Sequence, residues 1–345
     1  MFSTKINQYL FIFGVIVVSS YIANKYKSNF ETNDEYELIK KYLLNDSPLY
    51  GFNRPKLWIH SKYEINSRKW KDFYSRNSTD LNQPYLNLTI KSIINHCGND
   101  FNICLIDDDS FSKLIPSWDI DLVNVSEPMK SHYRELGMTK LLYYYGGMIV
   151  PNSFVCLKNL KELYSQGLEN SNPFVCENIN NSLDLLNQKT KMLFTPSTFL
   201  MGANKNDATI KMLIEFLKVK NSNPHFSSEN DFIGDTSNKL LEFIGSQKMN
   251  LILGQQIGVK TNNRKVVLIE DLMEENYIDY PSDLYGIYIP GEAILNRTKY
   301  QWFAVMSEED ILSSNMVISK YLQSSIIDNK NIYNKATEKP SVVSI

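Results

Sequence analysis

Residues Leu141 to Cys156, LLYYYGGMIVPNSFVC, constrain the fold of this chain more than any other stretch. An aromatic-rich segment with helical apolar spacing runs into Gly146-Gly147, and the short apolar run Met148-Ile149-Val150 follows at once. Polar groups, Asn152 and Ser153, come directly after it. A helix, a glycine break, a buried strand and a polar strand end together describe one edge of a ligand site in an α/β sheet.

The segments upstream supply the rest of such a sheet. Pro55 to His60 (PKLWIH) reads as a first buried strand ending in a histidine. Pro84 to His96 has apolar residues at helical spacing, with Pro84 suited to the first turn. Phe101 to Ile106 is a second buried strand that ends in Asp107-Asp108-Asp109. In a parallel strand–helix–strand unit, His60 and the aspartates share the carboxyl end of the sheet, where open α/β sheets bind ligands. Asp109 is the expected N-cap of a short helix over Ser110–Pro116, and a long helix is expected over Pro128–Tyr145.

Downstream, a short helix is expected over Lys158–Gly167 and strands at Pro173–Cys176 and Met192–Met201, joined by a polar surface loop from Glu177 to Lys191. Asp207–Val219 has amphipathic spacing behind an acidic start, and Phe232–Phe243 is a further helix. Short strands are expected near Leu251, Val266–Ile269 and Tyr285–Ile289. There is no internal repeat.

Composition and the chain ends narrow the class. At 345 residues the chain can build one large α/β domain or two smaller ones. A net charge of −2 excludes a general nucleic-acid binder, which needs a basic face. The four cysteines form no CxxC pair and lie in or beside apolar segments, so they read as buried thiols. The sequons at Asn77, Asn87, Asn124 and Asn296 are expected by chance in so asparagine-rich a chain.

Ile6 to Ala23 carries no charge and approaches the length that crosses a bilayer. This predicts a single-pass membrane anchor within residues 1–27, with a cleaved signal peptide as the rival reading, since Ser19-Ser20 are small enough for a cleavage site. Lys25 and Lys27 against Lys5 lean toward a cytosolic main domain, but leave the side of the membrane open. Residues 28–54 read as a stalk, 55–324 as the globular domain and 325–345 as a polar, disordered tail.

The strand Pro55–His60 resembles the opening IPKxIH strand of DXD-type glycosyltransferases of family 32 and of capsular-polysaccharide-type enzymes. Tyr133 to Gly147 is similar to their SDxxRxxxLxxxGG block, and the spacing of His60, the Asp-ended strand and the glycine pair also fits. The resemblance covers roughly residues 55–300, is strongest over 55–160, and extends to sequences of large DNA viruses. It implies a GT-A-like nucleotide-diphospho-sugar transferase fold, a Rossmann-like mixed sheet flanked by helices. It also implies transfer of a sugar from a UDP- or GDP-sugar donor to a glycan or glycoprotein acceptor.

The family's GGxYxDxD acids hold Mn²⁺ or Mg²⁺ against the donor diphosphate, whose departure needs its growing charge neutralised. In this chain that register falls on Pro151 and Ser153, with Asn152 between them. None is a carboxylate, and proline has no ligand atom. The family's helix Asp falls on Glu135 and its Arg on Met138, leaving Lys140 as the nearest cation.

Two readings stay open. In one, Asp107, Asp108 and Asp109 supply the catalytic or donor contacts, with Asp107 and Asp109 as metal ligands and Glu135 as a further catalytic acid. Between this and the second reading lies a metal-independent transferase that neutralises the diphosphate with Lys140, Arg134 or loop bases such as Arg68 and Arg76. In the other, a degenerate transferase binds a sugar nucleotide or glycan without turning it over. His60, Lys140, Gly146, Gly147, Asn152 and Ser153 are the expected donor-binding residues. Asp235, near Asp231 and Gly234, is expected on the acceptor side, and Trp118 or Trp302 could stack on a sugar ring.

Overall fold

A computed structural model of the chain describes residues 54–61, 83–179, 192–222, 229–296 and 299–327, all within the unit Gly51–Ile345. Eight strands are present among these residues: β1 Lys56–His60, β2 Asn102–Ile106, β3 Gly147–Ile149, β4 Phe154–Cys156, β5 Phe174–Ile179, β6 Phe194–Ala203, β7 Asn250–Ile252 and β8 Gly286–Tyr288. Six form one mixed sheet in the order β2-β1-β3-β6-β5-β7, while β4 and β8 pair separately.

β1 runs parallel to β2, with His60 opposite Ile106, and parallel to β3, with Leu57 opposite Met148. β6 is antiparallel to both β3 and β5, and β7 is parallel to β5. The expected α/β class, a mixed sheet flanked by helices, is the one observed.

The long helices are α1 Tyr85–Cys97, α3 Met129–Tyr145, α5 Ala208–Ser222, α6 Glu229–Gly245 and α10 Val317–Ile327. Shorter ones are α2 Ser110–Leu114, α4 Lys161–Gly167, α7 Ile269–Met273, α8 Gly291–Asn296 and α9 Glu308–Ser313. Helix α1 carries the chain from β1 to β2, and α3 returns it across β1 to β3. Right-handed crossovers place two such helices on opposite faces of the sheet, and the core divides accordingly. Trp58, Leu141, Leu142, Leu213 and Leu217 bury together on the α3 side. Tyr85, Leu88, Val155, Ile287, Phe303 and Leu322 form the other cluster. Burying a side chain of this size contributes about 1.5–3 kcal/mol, so these two clusters fix which face each helix covers.

The glycine pair fixes the contact between β1 and β3. Gly146 and Gly147 have φ of 68° and 104°, and a Cβ on Gly147 would stand 2.2 Å from the Lys56 carbonyl oxygen. The buried Trp58 indole Nε1–H donates to the Gly146 carbonyl at 3.0 Å. Helix α3 therefore stops here for lack of a side chain, and its successor strand lies hard against β1.

Several boundaries differ from the expectations. Val266–Ile269 is not a strand: Val266 makes only an isolated bridge to Lys260. The Asp271 carboxylate accepts from the Leu268 N–H at 2.8 Å and starts α7 instead. Residues 325–327, expected to open the tail, belong to α10, which continues to Ile327, and the buried Ser325 hydroxyl donates to the Cys156 carbonyl at 2.6 Å. Strand β4 passes unseen in the sequence, since three apolar residues after a turn carry no period of their own. The four cysteines are free, buried thiols, as read from their apolar neighbours.

The membrane localisation is corrected. No described helix is long and apolar enough to cross a membrane. The segment expected to span, Ile6 to Ala23, lies outside the described residues, as do the stalk up to residue 53 and residues 328–345.

Gly147→Ala forces a Cβ into the Lys56 carbonyl and a side chain into a positive φ. It should cost about 3 kcal/mol or more, or prevent folding, read as a lower urea midpoint. Gly245→Ala, where nothing lies within 4 Å of the added carbon, should change it little.

Candidate functional site

In the strand order β2-β1-β3 the chain leaves β1 toward one side and reaches β3 on the other. Ligands of open α/β sheets bind at such a switch, beyond the carboxyl ends of the two strands. Here those ends are His60 and Val150, followed by Pro151-Asn152-Ser153. The triplet forms a tight turn, with the Phe154 N–H donating to the Pro151 carbonyl at 3.2 Å. Helix α1 holds the turn from one side, its Thr89 hydroxyl donating to the Asn152 carbonyl at 2.5 Å. Asn152 is half-buried, whereas Ser153 is 5% exposed and is turned inward.

The strongest polar cluster sits at the ends of β1 and β2. Arg134 of α3 grips Asp108 with two donors, Nε at 2.7 Å and a terminal nitrogen at 2.6 Å. His60 Nε2 donates to the same carboxylate at 3.0 Å, and Glu127 accepts the remaining arm of Arg134 at 3.0 Å. The imidazole stacks on Phe111, with centroids 5.5 Å apart and planes within 6°. Burial alone would raise the Asp108 carboxyl. The hydrogen bonds from Arg134 and His60 overcome it and hold the group well below the usual carboxylate range.

The other two aspartates part company with Asp108. Asp107 is the residue that caps α2: its Oδ1 accepts from the Ser110 N–H at 2.9 Å and from the Ser110 hydroxyl at 2.6 Å. Asp109, expected as that cap, makes no such bond and is exposed. It faces a cleft of about 300 Å³ together with Asp108, Trp118 and Asp121. Among the described residues no group of three or more His, Cys, Asp or Glu side chains stands together to hold an ion.

The remaining expected donor residues scatter. Gly146 and Gly147 lie beside Lys56, at the amino end of β1 and thus at the opposite end of the sheet from His60. At about 3.3 Å of rise per residue, four residues separate Lys56 from His60 by roughly 13 Å. The glycines serve packing, and the sequence placed them at the site only because they precede its strand. Lys140 lies half-buried over the Trp118 ring, 5.1 Å from its centroid. Burial and the nearby Lys218 lower its ammonium from the ordinary value. Asp235 on α6 is ion-paired with Lys220 at the end of α5. Trp302 is exposed and packs edge-on against Phe303, and Arg68 and Arg76 lie outside the described residues.

Glu135 does reach the switch. The Thr198 hydroxyl of β6 donates to its carboxylate at 2.5 Å, and burial raises the carboxyl above the ordinary value against that bond. Thr198 arrives there through an irregularity in β6: Val175 pairs with Met201, but the next residue, Cys176, pairs with Ser197. The intervening residues bulge where β3 ends. Phe199 consequently packs on Tyr288 of β8, with centroids 4.4 Å apart.

The carboxyl ends of β5 and β7 lie on the same side of the sheet, because β5 is antiparallel to β6. Glu177 and Lys260 pair there at 2.7 Å, 15% and 10% exposed, with the ammonium 3.9 Å from the Phe194 ring centroid. None of Thr198, Phe199, Glu177 or Lys260 carries a sequence signal beyond an ordinary strand or loop. A larger hollow of about 900 Å³ lies beside the edge strand β7, lined largely by neutral amides such as Asn170, Gln247 and Gln256. The titratable groups gather at the carboxyl ends instead.

Two variants test these electrostatics. The Asp108 side chain is 25% exposed, so Asp108→Asn should cost about 2 kcal/mol at pH 7, less than a fully buried pair would lose. A depressed carboxyl contributes stability that is complete above its unfolded value, near 4, and is lost as pH falls from there toward the folded value. Denaturant melts should therefore show wild type and variant converging below about pH 4. Glu135 has the opposite sign, since its raised carboxyl loses stability as pH rises through the folded value. Glu135→Gln keeps an acceptor for Thr198 and should raise the melting temperature at pH 7 by about 2 °C.

No family model matches the chain, and no curated protein sequence matches it either. Among solved structures it is similar to the glycosyltransferase GlyE of Streptococcus pneumoniae TIGR4, both in the apo form and in a second structure of that protein. Each pair is 9% identical with a TM-score of 0.39, covering 85% of this chain and 66% of the other. The chain thus spans just under two thirds of GlyE, and similarity at that level assigns no residue a role.

Proposed function

We propose that this chain is a glycosyltransferase-like protein. It would bind a UDP- or GDP-sugar across the carboxyl ends of β1 and β3 and pass the sugar to a glycan or protein acceptor. The observation that carries this reading is the switch point itself. The strand order β2-β1-β3 sets a topological switch beyond the carboxyl ends of β1 and β3, where His60 bonds Asp108 and Thr198 bonds Glu135. It joins the resemblance of residues 55–160 to enzymes that use this end of the sheet for a nucleotide diphosphate.

Within that reading the residues divide the work by charge. Asp108, held ionised by Arg134 and His60, is a fixed acceptor for ligand hydroxyls such as those of a ribose. Glu135, with its raised carboxyl, is the group suited to hold or move a proton at the acceptor hydroxyl. The Asn152 amide can donate to phosphate or sugar oxygens. Arg134 is engaged by two carboxylates, so little of its charge is left for a diphosphate.

A second reading is favoured by one specific feature, the Pro151-Asn152-Ser153 turn. It provides no carboxylate where the resemblance calls for two, and it buries Ser153. A protein with this turn binds a sugar nucleotide or glycan without efficient transfer, because the leaving diphosphate is left unneutralised.

The full-length chain, titrated by calorimetry with a panel of UDP- and GDP-sugars with and without Mn²⁺ or Mg²⁺, separates the two. Binding weakened about tenfold by His60→Ala, with donor hydrolysis or transfer lost in Glu135→Gln, supports the enzyme. Binding with no turnover under any condition supports the second reading. No binding of any donor overturns both.

A further inference from the structure

We propose that Cys97 and Cys156 are a site of disulfide formation, taking a small disulfide of the glutathione class as their oxidant. Cys97 is the last residue of α1 and Cys156 the last of β4, so the two join different layers of the fold. Their sulfurs stand 3.7 Å apart, and both side chains are fully buried. The other two thiols are turned elsewhere: Cys104 toward the Asn102 carbonyl on β2 and Cys176 toward the Ser197 carbonyl beside β5. The pairing is therefore unambiguous. Closing the contact to the roughly 2.05 Å of a disulfide asks each sulfur to move by only about 0.8 Å.

The backbone around Cys156 is pinned. Its N–H donates to the Ser92 hydroxyl of α1 at 2.9 Å, and its carbonyl accepts from the Ser325 hydroxyl of α10 at 2.6 Å. A cross-link here tightens a junction that already exists rather than pulling two elements together.

The exchange has two steps. One protein thiolate attacks a sulfur of the oxidant, breaking its S–S bond and releasing one reduced thiol. The second protein thiolate attacks the resulting mixed disulfide, forming the Cys97–Cys156 bond and releasing another. Both electrons and both protons from the protein thiols end on the two released thiols. Burial and the adjacent Cys97 raise the Cys156 thiol. Once folded, the protein gives a small disulfide no access to either buried sulfur, so the bond forms while α1 docks.

The bond would close a loop between residues 59 positions apart, enclosing β2, α2, α3 and β3. The loop contains Asp108, Arg134, Glu135 and the Pro151–Ser153 turn, so most of the switch point hangs on it. Loops of this size yield the larger disulfide stabilisations.

The test refolds the full-length chain in reduced or in oxidised glutathione, alkylates the free thiols and measures intact and peptide masses. The expected result with oxidised glutathione is two alkylated cysteines instead of four, a linked Cys97–Cys156 peptide and native far-UV dichroism. The melting temperature should rise by roughly 5 °C over the reduced protein. Cys97→Ser should abolish the link, and Cys97→Ala serves if the buried hydroxyl prevents folding. Four alkylated thiols in a natively folded oxidised sample would overturn the proposal. So would a link through Cys104 or Cys176, or a linked protein without native dichroism.

Discussion

The closeness of β3 to β1 is the constraint on which the rest depends. Gly147 passes the Lys56 carbonyl with no room for a methyl group, and the Trp58 indole bonds the carbonyl of Gly146. Trp58 lies entirely within the α3-side core, so the bond cannot be exchanged for one to water. With β3 placed beside β1 while β2 lies on the other side, the strand order becomes β2-β1-β3. That order sets the switch, and the packing that creates it happens about 13 Å away, at the other end of the strands.

Electrostatics at the switch are settled internally. Asp108 receives three donors from Arg134 and His60, and Arg134 gives its remaining arm to Glu127. Such a network fixes geometry at the expense of free charge. A ligand arriving there meets a rigid carboxylate and a half-buried amide, with these cations among the described residues committed: Arg134 to carboxylates, Lys140 to a ring face, Lys260 to Glu177.

Much of the fold was legible because the relevant signals are local. Helical spacing marks Tyr85–Cys97 and Met129–Tyr145, apolar runs mark β1 and β2, and Pro84 and Gly146 mark where helices begin and end. The parallel relation of β1 and β2 follows from a crossover rule, so His60 and the aspartates were rightly brought to one end. What failed depends on three-dimensional choice. Of three consecutive aspartates, one binds Arg134, one caps a helix and one faces solvent, and sequence order cannot sort them. The glycine pair was assigned by adjacency to a strand whose far end matters. Thr198 and Phe199 owe their positions to a bulge defined by the partner strand, which no single-strand period reports.

The turn after β3 has a consequence for which substitutions the chain tolerates. The two acids that the resemblance calls for would stand at Pro151 and Ser153, and those positions are not equivalent. Residue 151 is half-buried, so a polar side chain there keeps contact with water. Residue 153 is 5% exposed, with its carbonyl bound to the Ile289 N–H at 3.0 Å. An aspartate there would bring an unpaired charge into a packed junction between β4 and β8, which proteins tolerate poorly. An aspartate at 153 therefore costs stability that one at 151 does not. Substitution at this turn is thus open at one position and constrained at the other, which the packing of β4 against β8 holds in place.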